Sequence, residues 1–281
     1  IKDCVQGVCV TGASCTQSRD NIVNNNYFLN CYDHCVYFVL SDWCQCDNNQ
    51  VLHNAGVTNG SGGGAIVMMS EHGSVSNNEI YTYSNAIAIR HPQYVRVIGN
   101  EIYQNSSTTR YGIVLYPQFY ATLGDGDVVN CVISGNTLKA GGTSSSHGIH
   151  IYSSTDSSTI TGQIVRCVIT NNIIDGYDGC GIRLYNADNS WASNQFGTGN
   201  IISDNIIRDV DDTGIELVRC DDCLVDSNVI RVTDVRGIEY DALTNSTISN
   251  NRISTGGASI VGIYEASTVT GSDGNRIINN F

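Results

Sequence analysis

Proline is nearly absent from this chain, with 2 residues in 281. Cations are scarce too: lysine occurs only as Lys2 and Lys139, and 14 Lys+Arg stand against 27 Asp+Glu for a net charge of -13. That balance argues against a nucleic-acid partner, whose phosphate backbone is gripped by clustered Lys and Arg. No run of 18 or more apolar residues exists, so no helix is expected to span a membrane. No stretch sustains an apolar period of 3.6, so helices are minor at most. The sequence begins at Ile1 without an initiator Met or signal segment, and the expectation is that any targeting segment has been removed.

What is present is Gly (29), abundant Asn, 15 Tyr against 2 Trp and 5 Phe, and a 41% hydrophobic fraction, which is ordinary for a folded protein. Twelve Cys are many for a cytosolic chain. Seven of them (Cys4, Cys9, Cys15, Cys31, Cys35, Cys44 and Cys46) fall in the first 46 residues. Their density suggests a disulfide-stapled N-terminal region in an oxidising, extracytoplasmic compartment, with buried free thiols as the alternative.

One repeat runs through the chain: Asn-x-[Ile/Leu], a variable stretch, then Gly-Ile-x-[Leu/Ile/Tyr]. The asparagines are Asn78, Asn100, Asn136, Asn172, Asn205, Asn228 and Asn251, spaced by 22, 36, 36, 33, 23 and 23 residues. Asn26 and Asn49 extend the series backwards, and Asn275 with Ile277 is read as its forward continuation. The second half is seen at Gly112-Ile113, Gly148-Ile149, Gly181-Ile182, Gly214-Ile215 and Gly237-Ile238. Each unit thus holds three short pieces of period-2 alternation broken by Gly, Asn or Asp. A basic unit near 22 residues is too short for a propeller blade of ~40 residues and fits one coil of a solenoid. The expectation is an all-β chain, a right-handed parallel β-helix of about ten coils with three short strands each, whose repeated Asn forms an amide ladder. It is taken as one domain over 1–281, with 1–46 a cysteine-rich N-terminal coil or cap region.

The N-x-I…G-I-x-L pattern resembles the right-handed parallel β-helix repeats of the pectate-lyase-like superfamily, over roughly residues 20–281. The resemblance implies secreted proteins acting on polysaccharides, viral tailspikes, or non-catalytic surface proteins. It carries no catalytic signature across. Of the polygalacturonase set (Asn-Thr-Asp, Asp-Asp, Gly-His-Gly, Arg-Ile-Lys), only Asp211-Asp212 and His147-Gly148 have counterparts here, in the wrong order. The lysine that several of the lyases carry on the working face is missing as well.

Cys44, Cys131, Cys167 and Cys223 lie five residues before the repeat Asn and should point inward. Cys131 and Cys167, on adjacent coils about 4.8 Å apart, could form a disulfide or an interior ladder of thiols. Cys220-Asp-Asp-Cys223 has metal-pair spacing without a second pair, and reads as structural.

In Gly-Ile-x-Leu-x both x positions face out. One outward column reads Ala88, Val114, His150, Arg183, Glu216, Glu239, and the next Arg90, Tyr116, Tyr152, Tyr185, Val218, Asp241. Extra length at 117–130, 153–166 and 186–200, and at 105–110 and 140–146, would wall these strands into a groove. The candidate catalytic set is His150, Arg183 and Glu216. Tyr116, Tyr152, Tyr185, Arg90, Glu239 and Asp241 are the candidate substrate-binding residues, the tyrosines forming a track against which a sugar ring lies. In β-elimination from a uronic-acid polymer, Arg183 would neutralise the substrate carboxylate while His150 or a neighbouring Tyr moves the proton. In hydrolysis a carboxylate pair would flank the bond. Elimination is slightly favoured, because Glu239 and Asp241 lie on plain 23-residue coils.

His34, His53, His91 and His147 read as turn or surface residues. No metal site is assigned. The acidic turns around Asp209, Asp211 and Asp212 and around Asp125 and Asp127 are read as calcium sites or, more readily, as solvated turns. The sequence ends inside what reads as a further coil with no polar cap, which suggests a fragment or an end that stacks on another subunit. The expected partner is therefore a polysaccharide or glycan, with end-to-end or lateral self-association considered, and the location extracellular or cell-surface. The alternative function is a non-catalytic surface filament, sheath or adhesin.

Overall fold

A computed structural model describes residues 1–4, 6–11, 18–39, 41–53, 64–105, 110–117, 127–141, 146–153, 162–186, 197–232, 235–256, 261–266 and 272–281. Among them there is no helix, and the strands form parallel sheets of 13, 10 and 9 strands with a small 2-stranded one. Each coil contributes one strand to each large sheet, as Asn85–Arg90, Val95–Ile98 and Glu101–Gln104 do, before the next coil restarts the cycle at Tyr111–Tyr116. Residues 22 to 36 apart therefore become lateral neighbours: Ile80 pairs Ile102, Ile102 pairs Leu138, and Leu138 pairs Ile174. The fold is a right-handed parallel β-helix.

The repeat asparagine explains why the coils stay in register. Asn26, Asn49, Asn78, Asn100, Asn136, Asn172, Asn205, Asn228, Asn251 and Asn280 form one column, in which each Nδ2 donates to the next Oδ1 at 2.9–3.1 Å. The backbone N–H of each asparagine donates to the same oxygen, as Asn100 does to Asn136 at 2.9 Å. Nδ2 also reaches the carbonyl of the apolar residue of the preceding coil, for example Val97 from Asn136 at 2.9 Å. Buried amides tolerate this position because their hydrogen-bonding groups are met. The residue just before each ladder asparagine adopts a left-handed backbone and is Asn, Gly, Asp or Ser throughout, from Asn25 (φ 58°) to Asn279 (φ 53°). Glycine and small polar residues enter that region most readily.

The last rung differs from the sequence reading. Asn280, and not Asn275, closes the ladder, because Arg276–Ile278 pairs with Thr247–Ser249 and carries Asn275 beside Ser246. A six-residue insertion between Asn251 and Asn280 (29 residues against 23) shifts the register by which the pattern was read.

The interior is filled by the apolar member of each short alternation. Ile80, Ile102, Leu138, Ile174, Ile207 and Ile230 have no exposed surface, and each such burial contributes about 1.5–3 kcal/mol. The glycine of Gly-Ile-x-Leu is set by this column. A Cβ on Gly181 would come within 2.5 Å of Ile207 Cγ2 and 2.7 Å of the Gly214 carbonyl, so the coil can turn into its strand only over a bare Cα.

The eleven described cysteines are free thiols. Among the described N-terminal cysteines none of the expected staples is formed. Cys44, Cys131, Cys167 and Cys223 point inward as buried thiols, which is the ladder alternative. Cys15, Asp125, and most of the expected walls (106–109, 118–126, 142–145, 154–161, 187–196) lie outside the described residues.

Candidate active site

The outward columns form as expected on the largest sheet. Ala88 pairs Val114, Val114 pairs His150, His150 pairs Arg183, Arg183 pairs Glu216, and Glu216 pairs Glu239. Tyr264 continues the column beyond Glu239. In the second column Arg90 pairs Tyr116, Tyr152 pairs Tyr185, Tyr185 pairs Val218, and Val218 pairs Asp241. Parallel rungs spaced about 4.8 Å apart thus bring His150, Arg183 and Glu216 together, though they lie far apart in sequence.

Arg183 is the centre of the cluster. Its Nε lies 2.6 Å from Glu216 Oε2 and its Nη2 donates to Oε1 at 3.3 Å. The Nε approach is off the N–H direction, so it is an ion pair and not a second hydrogen bond. Arg183 also lies over the Tyr185 ring at 4.7 Å. On its other side Glu216 is approached by the Cys180 thiol at 3.2 Å, and burial together with Glu216 and Asp212 holds that thiol well above the usual range.

His150 is 6% exposed, and neither ring nitrogen has a hydrogen-bond partner. Burial, followed by His147 and Arg183, pushes its pKa well below the ordinary histidine value, so the ring is neutral. His147 stacks on Tyr111 at 5.7 Å, stands 5.1 Å from His150 edge-on, and accepts the Cys180 N–H at 2.8 Å. Burial first, and then Arg183, brings its pKa down to about 4. Tyr111 and Tyr152 complete the wall round His150, with centroids at 5.0 and 5.1 Å.

Tyr116 and Tyr152 stack on each other at 5.1 Å with planes 5° apart, while Arg90 sits over Tyr116 at 5.8 Å. Tyr185 is turned under Arg183 instead of extending that pair. Glu239 is held by Arg236 at 2.5 Å and accepts from Thr213 Oγ1 at 3.3 Å. Asp241 lies two rungs along from Tyr185.

Several placements differ from the sequence reading. The outward column is not solvated at its N-terminal end. Val67, Ala88 and Val114 are 0–1% exposed because Tyr37, Tyr111, Tyr116 and Tyr152 fold over these short side chains. His34, His53 and His91 are buried at 5%, 1% and 3%, so none is a surface residue, although His91 does lie in a turn (φ 57°). His53, for example, is held between Cys35 and Thr82, each at 3.1 Å. His147 is a strand residue within the site.

Residues directly before the repeat glycine were not assigned to the site from the sequence, yet Tyr111, His147, Cys180, Thr213 and Arg236 all border the cluster. Strict alternation would turn them inward. The compact glycine breaks the alternation, and a row of polar and aromatic residues before it was the available signal.

A family model described as "right handed beta helix region" matches residues 11–196. The chain belongs to the right-handed β-helix family. Residues 127–281 also match the family described as periplasmic copper-binding protein (NosD). Among the described residues no three His, Cys, Asp or Glu side chains converge to hold a metal ion. The described donor set therefore offers no such cluster for copper, and no copper-dependent step is assigned to this β-helix. The acidic residues Asp209, Asp211 and Asp212 likewise form no such group, and Asp209 faces Arg231 at 3.5 Å.

No curated protein matches the sequence. Two solved structures are similar in outline. The A-module of the Azotobacter vinelandii mannuronan C-5 epimerase AlgE4 is 13% identical, covering 98% of this chain and 84% of that one with a TM-score of 0.36. The periplasmic alginate epimerase AlgG is 11% identical, covering 92% and 77% with a TM-score of 0.35. Overlap of that extent gives no residue of this chain a role.

Proposed function

We propose that this β-helix acts on an acidic polysaccharide from outside the cytoplasm, cleaving it by β-elimination at the His150–Arg183 cluster. The observation that carries the reading is the His150 imidazole, buried without a protein partner for either nitrogen. A polar group left so costs about 1–3 kcal/mol, and such a cost is met where a ligand supplies the missing partner. The NosD description as periplasmic supports the location.

In this mechanism Arg183 pairs with the carboxylate of a uronic-acid residue through the N–H groups that Glu216 does not engage, so that the adjacent C–H becomes acidic. Neutral His150 takes that proton. The electron pair left behind forms the carbon–carbon double bond as the neighbouring carbon–oxygen bond to the next sugar breaks. The leaving oxygen takes a proton from Tyr111, whose pKa is raised chiefly by burial and which therefore keeps its proton at neutral pH. Glu216 orients the guanidinium. Hydrolysis is the poorer fit: Glu216 and Glu239 are adjacent, but each is engaged by an arginine, whereas a hydrolytic pair needs one carboxyl to donate a proton.

The test is a panel of uronate-containing polysaccharides, followed for ultraviolet absorbance of an unsaturated uronate and separately for new reducing ends. The expected result is both signals together, with His150→Gln lowering turnover by about 100-fold or more. Reducing ends without absorbance would mean hydrolysis. Inertness on every polymer, with fibres visible by microscopy, would replace the enzyme reading with the surface-filament alternative.

A further inference from the structure

We propose a second, non-catalytic site, a cleft over Trp43, His72 and Tyr94 that binds a short stretch of pyranose sugars. In taking a glycan as ligand it rests on the function proposed above, although it lies on different coils and on the neighbouring sheet.

The argument starts at a corner. At one turn most coils put a residue into the left-handed backbone region, giving a column that includes Asp20, Trp43, Tyr94, Asn130, Arg166, Gly199, Asp222, Asn245 and Gly274, with His72 outside it. Most of these are Asn, Asp or Gly, the residues that enter the region most easily. Trp43 (φ 55°) and Tyr94 (φ 56°) are bulky aromatics in the same conformation, and such strained positions cluster at ligand sites. Packing does not account for them, because each is 53% exposed.

The aromatic rungs are also built to stay in place. The His72 ring lies between the other two, 4.5 Å from Trp43 and 5.3 Å from Tyr94, with planes within 9° and 1° of parallel. Asp42, 5% exposed, accepts from the Trp43 N–H at 3.1 Å, the His72 N–H at 3.2 Å and His72 Nδ1 at 2.9 Å through a single oxygen. A buried carboxylate thus fixes two of the three rungs before any ligand arrives, which is how a preorganised site is supported.

Beside this ridge the adjoining sheet presents Gln45, Ser74 and Arg96 in register on consecutive coils. Gly73 between them has no room for a side chain, since a Cβ there would lie 2.6 Å from the Cys44 carbonyl and 2.8 Å from the buried Met68 sulfur. The cleft has a volume of about 720 Å3, and Asp20 is among its lining residues. That lies within the roughly 300–1,000 Å3 of small-ligand sites. An aromatic ridge facing amide, hydroxyl, guanidinium and carboxylate groups suits a pyranose: its C–H face lies on the rings while its hydroxyls meet the polar row. A polymer held here would run on to the His150–Arg183 cluster, which begins two coils further along the axis.

The experiment measures binding of hexasaccharides of polygalacturonate, alginate, xylan and cellulose by calorimetry, for the whole chain and for Trp43→Asn and Tyr94→Asn. At least one probe should bind the wild-type chain and bind each variant at least tenfold more weakly. The thermal midpoints should be unchanged or raised, since Asn suits the left-handed corner, and cleavage of a short substrate should be unaffected. Binding within twofold of wild type in both variants overturns the proposal, as does a wild-type chain that binds none of the probes. A large fall in midpoint on either substitution also overturns it, by showing the aromatics to be structural. A chain that cleaves nothing yet loses binding on Trp43→Asn would sink the elimination mechanism and leave this site standing.

Discussion

Arg183 and Glu216, thirty-three residues apart in sequence, face each other across one rung with Nε 2.6 Å from Oε2, and their side chains are only 26% and 17% exposed. The pair is screened less than a surface ion pair and holds its guanidinium in one orientation. Removing either partner leaves a half-buried charge. Arg183→Ala and Glu216→Ala should each lose about 1–3 kcal/mol of stability by urea unfolding, and the double variant less than the sum. Additive losses would mean that the two do not act on each other. Arg183→Lys should keep the charge and lose the fork, with turnover falling more than stability.

Acid should unfold this chain earlier than its carboxylates alone require. Burial brings the pKa values of both His53 and His147 down to about 4. His34, His91 and His150 are lowered in the same direction, again chiefly by burial. In the unfolded chain a histidine titrates near 6.5, so between about 6.5 and 4 the unfolded state binds more protons. Stability is therefore full above about pH 6.5 and falls through that window, by roughly 3 kcal/mol for each of His53 and His147. Urea midpoints at pH 7, 6, 5 and 4 check this, and His53→Gln should flatten the profile. A stability constant from pH 7 to 4 would contradict the burial of these rings.

The amide ladder should be costly to break in the middle and cheap to break at the end. Asn136→Ala takes the Asn136 Oδ1 acceptor from the Asn100 N–H and Nδ2 and the Asn136 Nδ2 donor from the Val97 carbonyl and Asn172 Oδ1, although Asn100 Nδ2 keeps the Val75 carbonyl and Asn172 Oδ1 keeps the residue-136 N–H. A loss of about 2–4 kcal/mol is expected, since each unmet buried group costs about 1–3 kcal/mol and water can reach some of them. Asn280→Ala, on the last and less buried rung, should cost less than half as much in the same unfolding experiment.

Glycines of the same motif should differ by their surroundings. Gly181→Ala drives a methyl into Ile207 and the Gly214 carbonyl, and should cost about 1–3 kcal/mol or more. Around Gly262 nothing lies within 4 Å of an added Cβ, so Gly262→Ala should stay within about 0.5 kcal/mol. Equal losses at the two positions would show that the glycine serves backbone freedom and not close packing.

Much of the fold was legible because its physics repeats. An asparagine every coil, an apolar residue two positions on and a glycine before the strand are each demanded once per revolution, so they recur in the sequence at readable intervals. The columns His150–Arg183–Glu216–Glu239 and Tyr152–Tyr185 follow from that register alone. The reading slipped at Asn275, where an insertion moved the period, and at Tyr111, His147 and Cys180, where the alternation of faces breaks at a glycine.

The sequence by itself determined which residues share a rung, because parallel strands bring equivalent positions of successive coils side by side. Only the tertiary structure decided what each rung neighbour does with its side chain. Burial beneath Tyr111 and Tyr152 keeps the His150 ring neutral; proximity to Glu216 locks Arg183; two left-handed corners carry Trp43 and Tyr94 into a ridge beside the neighbouring sheet. Those outcomes depend on local dielectric, on ring orientation and on backbone sign, and none of the three has a period that a sequence can display.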